Sequence, residues 1–150
     1  MEVDRIMTPR VEAIGPDTPL KDVVAHLGRP DIRHVYVVDK DNRLLGVISN
    51  LDLLRRFLPE YLDANLSQLI VADDELLRSR YAEVAHLKAA DLMTAKIDAL
   101  TLDRGVVQAE ALMVQHRYNA LPVVDASGRL QGEVSRKSVL SYISRAALQG

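Results

Sequence analysis

Shifting the sequence by 86 positions lays it onto itself without a gap, and this repeat constrains the fold more than any other feature. Asp39 falls on Asp125. With it Val37-Val38 falls on Val123-Val124, Met7-Thr8 on Met93-Thr94 and Asp17 on Asp103. Arg43-Leu44 falls on Arg129-Leu130, Gly46 on Gly132, Ser49 on Ser135 and Leu54 on Leu140. A unit of about 55 residues buries too little surface to be secure alone, so the two copies are expected to complete one another's core.

Each copy spells the same string of elements. Val11-Glu12-Ala13-Ile14 and Ile97-Asp98-Ala99-Leu100 alternate apolar and polar residues, the period of a half-buried strand. Asp17-Thr18-Pro19 then opens a helix, with Thr18 as cap and Pro19 at its first position. Its core face is Leu20, Val23, Val24 and Leu27, matched by Val106, Ala109, Leu112 and Met113. Two strands follow, Val35–Val38 and Leu44–Ser49, around the turn Asp39-Lys40-Asp41-Asn42; Asp125-Ala126-Ser127-Gly128 turns in the second copy. A last helix runs from Leu51 to about Phe57, and from Lys137 to about Ile143. The expected fold is mixed α/β (α+β): two β-α-β-β-α repeats packed sheet to sheet with pseudo-twofold symmetry.

The expected boundaries are 1–57 for the first copy, 58–88 for a connector and 89–150 for the second copy. The connector is not a floppy linker, since it lacks glycine. Leu62, Leu66, Leu69 and Ile70, then Leu77, Tyr81, Val84 and Leu87, recur at helical spacing. Two helices are expected there, the second leading straight into Asp91-Leu92-Met93-Thr94.

The openings Asp4-Arg5-Ile6-Met7-Thr8-Pro9 and Ala90-Asp91-Leu92-Met93-Thr94 each lead to an apolar-Val-Val-Asp strand and then to Gly-x-x-Ser. In this order, and in duplicate, they resemble the CBS motif. The pair resembles a Bateman module over about residues 1–57 and 89–146. The resemblance implies clefts between the motifs that bind AMP, ADP, ATP or S-adenosylmethionine. It also implies a homodimer and a regulated enzyme, channel or transporter that is attached or recruited.

Gly46-Val47-Ile48-Ser49-Asn50-Leu51-Asp52 resembles the family's strand-to-helix motif. Asp52 could accept both hydroxyl protons of a ribose, and Ser49 sits where the strand ends and the helix N-terminus faces an anion. Ser49-x-x-Asp52 is equally close to a capping box, which needs no ligand. Arg33 and His34 precede the next strand, where the family places phosphate-binding basic residues; a solvated pair is the plainer alternative. Ala13, Ile14 and Val35 could wall an adenine slot or simply fill the core. The second copy departs from the pattern: Ser138 stands in place of the aspartate after Ser135, and Asn119 in place of Arg33. A weaker second site is therefore expected. Arg136 and Lys137 could reach phosphates in the first site or lie in solvent.

Other chemistries find little support. There is no cysteine, which excludes disulfides and thiolate sites. No Gly-rich phosphate loop or nucleophile elbow occurs. His26, His34, His86 and His116 lack a zinc-ligand spacing. Met7, Met93 and Met113 read as core filler. A net charge of −2 and 4% aromatic residues give nucleic acid little to bind. No apolar run approaches the ~20 residues that span a bilayer, and no signal segment follows the N-terminus. The expectation is a cytoplasmic sensing module without enzymatic activity, needing no cofactor and making no membrane insertion, although it could be the cytosolic part of a membrane protein. The alternative is a structural dimerisation module whose ligand sites are degenerate and empty.

Overall fold

The computed structural model describes residues 2–58 and 73–149. Among the described residues the chain forms two three-stranded sheets and six α-helices. In the first copy β1 (Ala13–Ile14), β2 (His34–Val38) and β3 (Leu44–Ser49) stand in the order β1-β2-β3, with α1 (Leu20–Leu27) and α2 (Asn50–Arg56). After α3 (Asp73–Val84) and α4 (Ala89–Leu92) the second copy repeats the scheme. It comprises β4 (Leu100–Thr101), α5 (Val106–His116), β5 (Ala120–Val124), β6 (Leu130–Ser135) and α6 (Arg136–Gln149).

The repeat extends to strand register. Ile14 pairs with Val37 in the parallel β1–β2 ladder, and Leu100 pairs with Val123 in β4–β5, the same pair 86 residues on. The middle strands are apolar runs without alternation, because both faces are covered. Val35, Tyr36 and Val37 are at most 2% exposed, and Leu121 and Val123 at most 1%. The edge strand β6 alternates buried and half-buried residues, as one covered face requires. The turns before β3 and β6 share one device. The Asp39 carboxylate accepts from the Asp41 and Arg43 amides at 2.9 Å each. Asp125 does the same for Ser127 and Arg129, at 2.9 and 3.0 Å. The Arg43 amide, foremost, holds the Asp39 carboxyl below the usual carboxylate range. Asn42 and Gly128 take the left-handed backbone that closes each turn, with φ of 65° and 81°.

The compact units do not follow the order of the copies along the chain. One contains Met1–Val11, Val38–Leu45 and Lys96–Gly150; the other contains Glu12–Val37 and Gly46–Ala95. Within the first unit Thr8 bridges Glu133 through two backbone bonds of 2.8 and 3.0 Å, and Val3 joins a core of Leu100, Val106, Ala109, Met113, Leu121, Val123, Val134 and Val139. Within the second unit Thr94 bridges Val47 in the same way, at 2.9 and 3.1 Å. The Met-Thr opening of each copy thus docks on the last strand of the other.

Several expectations need correction. Thr18 does not cap α1; Pro19 is the cap residue, without a side-chain bond, and Leu20 is the first helical residue. The reason is long-range. Pro16, Thr18 and Leu20 bond in extended form to Ala90, Ala89 and Leu87. The same pairing stops the connector helix, so α3 ends at Val84 and α4 starts afresh at Ala89. Leu77 is 52% exposed and does not share the buried position of Val84. The helix expected over Leu62–Ile70 lies outside the described residues. The strands β1 and β4 are shorter than their alternating patterns, and α6 runs six residues beyond Ile143, to Gln149.

Candidate functional site

The junction of β3 and α2 is a closed capping box. Ser49 ends the strand with extended backbone, its hydroxyl accepts from the Asp52 amide at 3.1 Å, and Asp52 Oδ2 accepts from the Ser49 amide at 3.4 Å. This satisfies two amides that a helix start leaves without intrahelical partners. It occupies one oxygen of the carboxylate. Asp52 Oδ1 lies 3.8 Å from Arg55 Nη1, in a side chain still 36% exposed. Capping therefore leaves Oδ1 open to a further donor.

Arg33 is brought to the same corner by the backbone. Its carbonyl accepts from the Asn50 amide at 2.9 Å, tying the residue before β2 to the first residue of α2. Its side chain is exposed. His34 begins β2, half-buried, with its ring edge-on to Tyr36 at 5.1 Å. Among the three apolar candidates, Ala13 is exposed, whereas Ile14 and Val35 are 7% and 0% exposed and belong to the core. These residues all lie in the unit that contains Glu12–Val37 and Gly46–Ala95.

The second copy reproduces the backbone and changes the chemistry. The Arg136 amide donates to the Asn119 carbonyl at 3.0 Å, as Asn50 does to Arg33. Ser138 takes the place of Asp52: its amide donates to Ser135 Oγ at 3.1 Å, and the two hydroxyls meet at 2.9 Å. The corner is capped but carries no carboxylate. Arg136 Nε donates to the Tyr118 carbonyl at 2.7 Å, which commits that edge of the guanidinium to its own copy. Lys137 and Asn119 are exposed.

Two polar clusters were not foreseen. Glu12 Oε1 lies 2.8 Å from His26 Nδ1 and accepts from Arg29 Nη1 at 2.9 Å. At the matching place Asp98 accepts from the Tyr118 hydroxyl at 2.9 Å, with His116 Nε2 at 3.8 Å. Burial and, after it, the bond to Asp98 push the Tyr118 phenol above its ordinary pKa. The partners stand 14 to 20 residues apart, so no helical or strand period marks them. Among the described residues no group of His, Asp and Glu could hold a metal ion, and no helix is long and apolar enough to cross a membrane.

Comparison with known proteins sets this geometry in context. The family model described as CBS domain matches residues 3–59 and again 89–145. The chain is 31% identical to the magnesium transporter MgtE of Thermus thermophilus over 99% of its own length and 28% of the transporter's, so it spans little more than a quarter of that relative. The crystal structure of CBSX2 in complex with AMP is similar at a TM-score of 0.72 and 28% identity, covering 99% of this chain and 96% of that one; CBSX2 is a CBS-pair protein from Arabidopsis thaliana. The cytosolic domain of the Mg2+ channel MgtE in complex with ATP is similar at a TM-score of 0.66 and 28% identity, covering 91% of this chain and 46% of that one.

Proposed function

Since the chain belongs to the CBS domain family, with the motif in tandem, we propose that it is a regulatory module that binds an adenosine nucleotide at the first copy and controls an attached or partner protein. The observation that carries this reading is the Asp52 carboxylate. It caps α2 through Oδ2 while Oδ1 remains open, on a corner that the Arg33 carbonyl joins. In this reading Oδ1 accepts a ribose hydroxyl and Arg33 binds phosphate oxygens. His34 adds a donor, and Ala13 offers an exposed apolar surface to the base. Relatives solved with AMP and with ATP support a nucleotide, AMP, ADP or ATP, with S-adenosylmethionine as another adenosyl ligand to test. The role is binding, without catalysis. The likeness to part of MgtE supports a channel or transporter as the controlled protein, and a cytosolic location. AMP at about 100 times its dissociation constant is expected to stabilise the chain by about 2.7 kcal/mol, raising the melting temperature by roughly 5–10 °C. Differential scanning fluorimetry with AMP, ADP, ATP and S-adenosylmethionine reads this directly. No shift with any of the four would defeat the nucleotide reading.

A second reading, assembly into a homodimer, is favoured by a separate feature. The helices α5 and α6 turn Val107, Val114 and Leu140 outward, 75%, 74% and 64% exposed. A groove of about 300 Å3 lies along them, lined by Met113, Val139 and Ile143 with Glu110 and Arg117 among its polar residues. Apolar side chains clustered on one face mark a surface that a partner covers. Leu140→Glu is expected to convert a dimer to a monomer in light scattering after size exclusion, with the melting temperature of the monomer little changed. A wild-type chain that is monomeric at tens of micromolar would rule this assembly out.

A further inference from the structure

We propose that Glu12 is a positioning residue for the nucleotide site of the first copy, an inference that rests on the function proposed above. Glu12 joins three pieces of chain at once. Its carboxylate, 25% exposed, holds His26 in the last turn of α1 and Arg29 in the loop beyond, at 2.8 and 2.9 Å. Its carbonyl accepts from the Tyr36 amide in β2 at 3.0 Å. The next residue is Ala13, and the Tyr36 ring contacts His34. Glu12 therefore fixes the place of Ala13 relative to the His34 end of β2, two sides of the surface that would receive the base and its phosphates. Preorganising such a surface raises affinity by removing the cost of ordering it during binding.

The second copy gives an independent comparison. Its counterpart Asp98 is also tethered, but by Tyr118 and His116, which occupy other positions in the repeat than Arg29 and His26. The carboxylate recurs although its partners differ, so the tethered corner is the repeated feature. The main-chain half of the tether does not recur: Pro122 stands where Tyr36 stands and has no N–H to give. The copy that has both halves is the copy that carries Asp52.

The test is calorimetric titration of AMP into the wild-type chain and into Glu12→Ala, Glu12→Gln and Asp98→Asn, with the melting temperature of each measured without ligand. Glutamine keeps an oxygen that accepts from Arg29, so it is expected to bind AMP within about threefold of wild type, whereas alanine weakens binding by about tenfold. Asp98→Asn is expected to leave this affinity within about twofold, because Asp98 is tied to Tyr118 and His116 and takes no part in holding His26 or Arg29. The ligand-free melting temperatures of Glu12→Ala and Glu12→Gln should agree within about 2 °C, which separates positioning from plain stability. Alanine binding AMP as tightly as wild type overturns the role of Glu12 alone, as does a loss of affinity shared equally by alanine and glutamine. A wild-type chain that takes up no AMP overturns the nucleotide site itself, and this role with it.

Discussion

Gly132→Ala is expected to cost the fold about 3 kcal/mol and to lower the melting temperature by roughly 6–12 °C, the largest loss from adding one methyl group to any glycine described. A Cβ at Gly132 would overlap the Thr8 carbonyl oxygen, with the Thr8 carbon at 3.1 Å and Pro9 Cα at 3.2 Å. All three are backbone atoms, so no rotamer change relieves the clash. Thr8 cannot retreat either, because two backbone bonds of 2.8 and 3.0 Å hold it to Glu133. The chain must give up the docking of its N-terminal segment, and with it the burial of Val3, which is fully enclosed in the core. A Cβ at Gly46 would meet the Thr94 oxygen at 2.7 Å and Met93 Sδ at 2.8 Å. The thioether can move and the carbonyl cannot, so Gly46→Ala should cost less than Gly132→Ala but more than Gly15→Ala, whose nearest neighbour is 3.9 Å away. Melting curves of the three variants by circular dichroism give the ranking. A Gly132→Ala chain that melts within 2 °C of wild type would show that the Thr8 segment is not seated there.

The two glycines also show what the sequence can and cannot tell. Both stand out at once as landmarks of the repeat, in step with Ser49 and Ser135. Their strand and the turn before it are equally legible, because hairpin turns and apolar runs are written in neighbouring residues. The capping box Ser49–Asp52 is legible for the same reason: its parts lie three residues apart. What faces each glycine is not. Met7-Thr8 and Gly46 read as parts of one copy, yet Thr8 closes on Gly132 and Thr94 on Gly46. That exchange joins residues 124 and 48 positions apart, and no local period records it. The failed cap at Thr18 and the break after Val84 have one origin, since the pairing of residues 16–20 with 87–90 overrides two sound local signals. The Glu12 and Asp98 clusters escape for a related reason. A carboxylate before a strand is an ordinary residue until the fold brings a histidine, an arginine or a tyrosine to it.

Asp52→Asn is expected to leave the ligand-free melting temperature within about 2 °C of wild type while weakening AMP binding by about 10–100-fold. The two outcomes divide because the carboxylate has two oxygens with separate tasks. Oδ2 accepts from the Ser49 amide, and an asparagine oxygen can do the same, so the start of α2 stays capped. A ribose hydroxyl loses a charged acceptor at Oδ1 and meets either a neutral group or an amide donor. At an AMP concentration 100 times the wild-type dissociation constant, the stabilisation should then fall from about 2.7 to roughly 0.4–1.4 kcal/mol. Asp52→Ala keeps the Ser49 cap on the residue 52 amide but removes the reciprocal acceptor for the Ser49 amide, and should lose a further ~1 kcal/mol of intrinsic stability, which would confuse the two tasks if it were used alone. Asp52→Ser copies the second repeat, where Ser135 Oγ caps the Ser138 amide and no carboxylate is present, and should weaken AMP binding as asparagine does. On the proposed reading, the same rule predicts that two equally well-formed corners differ in affinity: capping asks only for an acceptor of the right length, whereas gripping a diol rewards a charge. If Asp52→Asn kept the full AMP-induced shift in a melting experiment, the open oxygen would have no part in binding, and the nucleotide would have to be held by Arg33 and His34 without it.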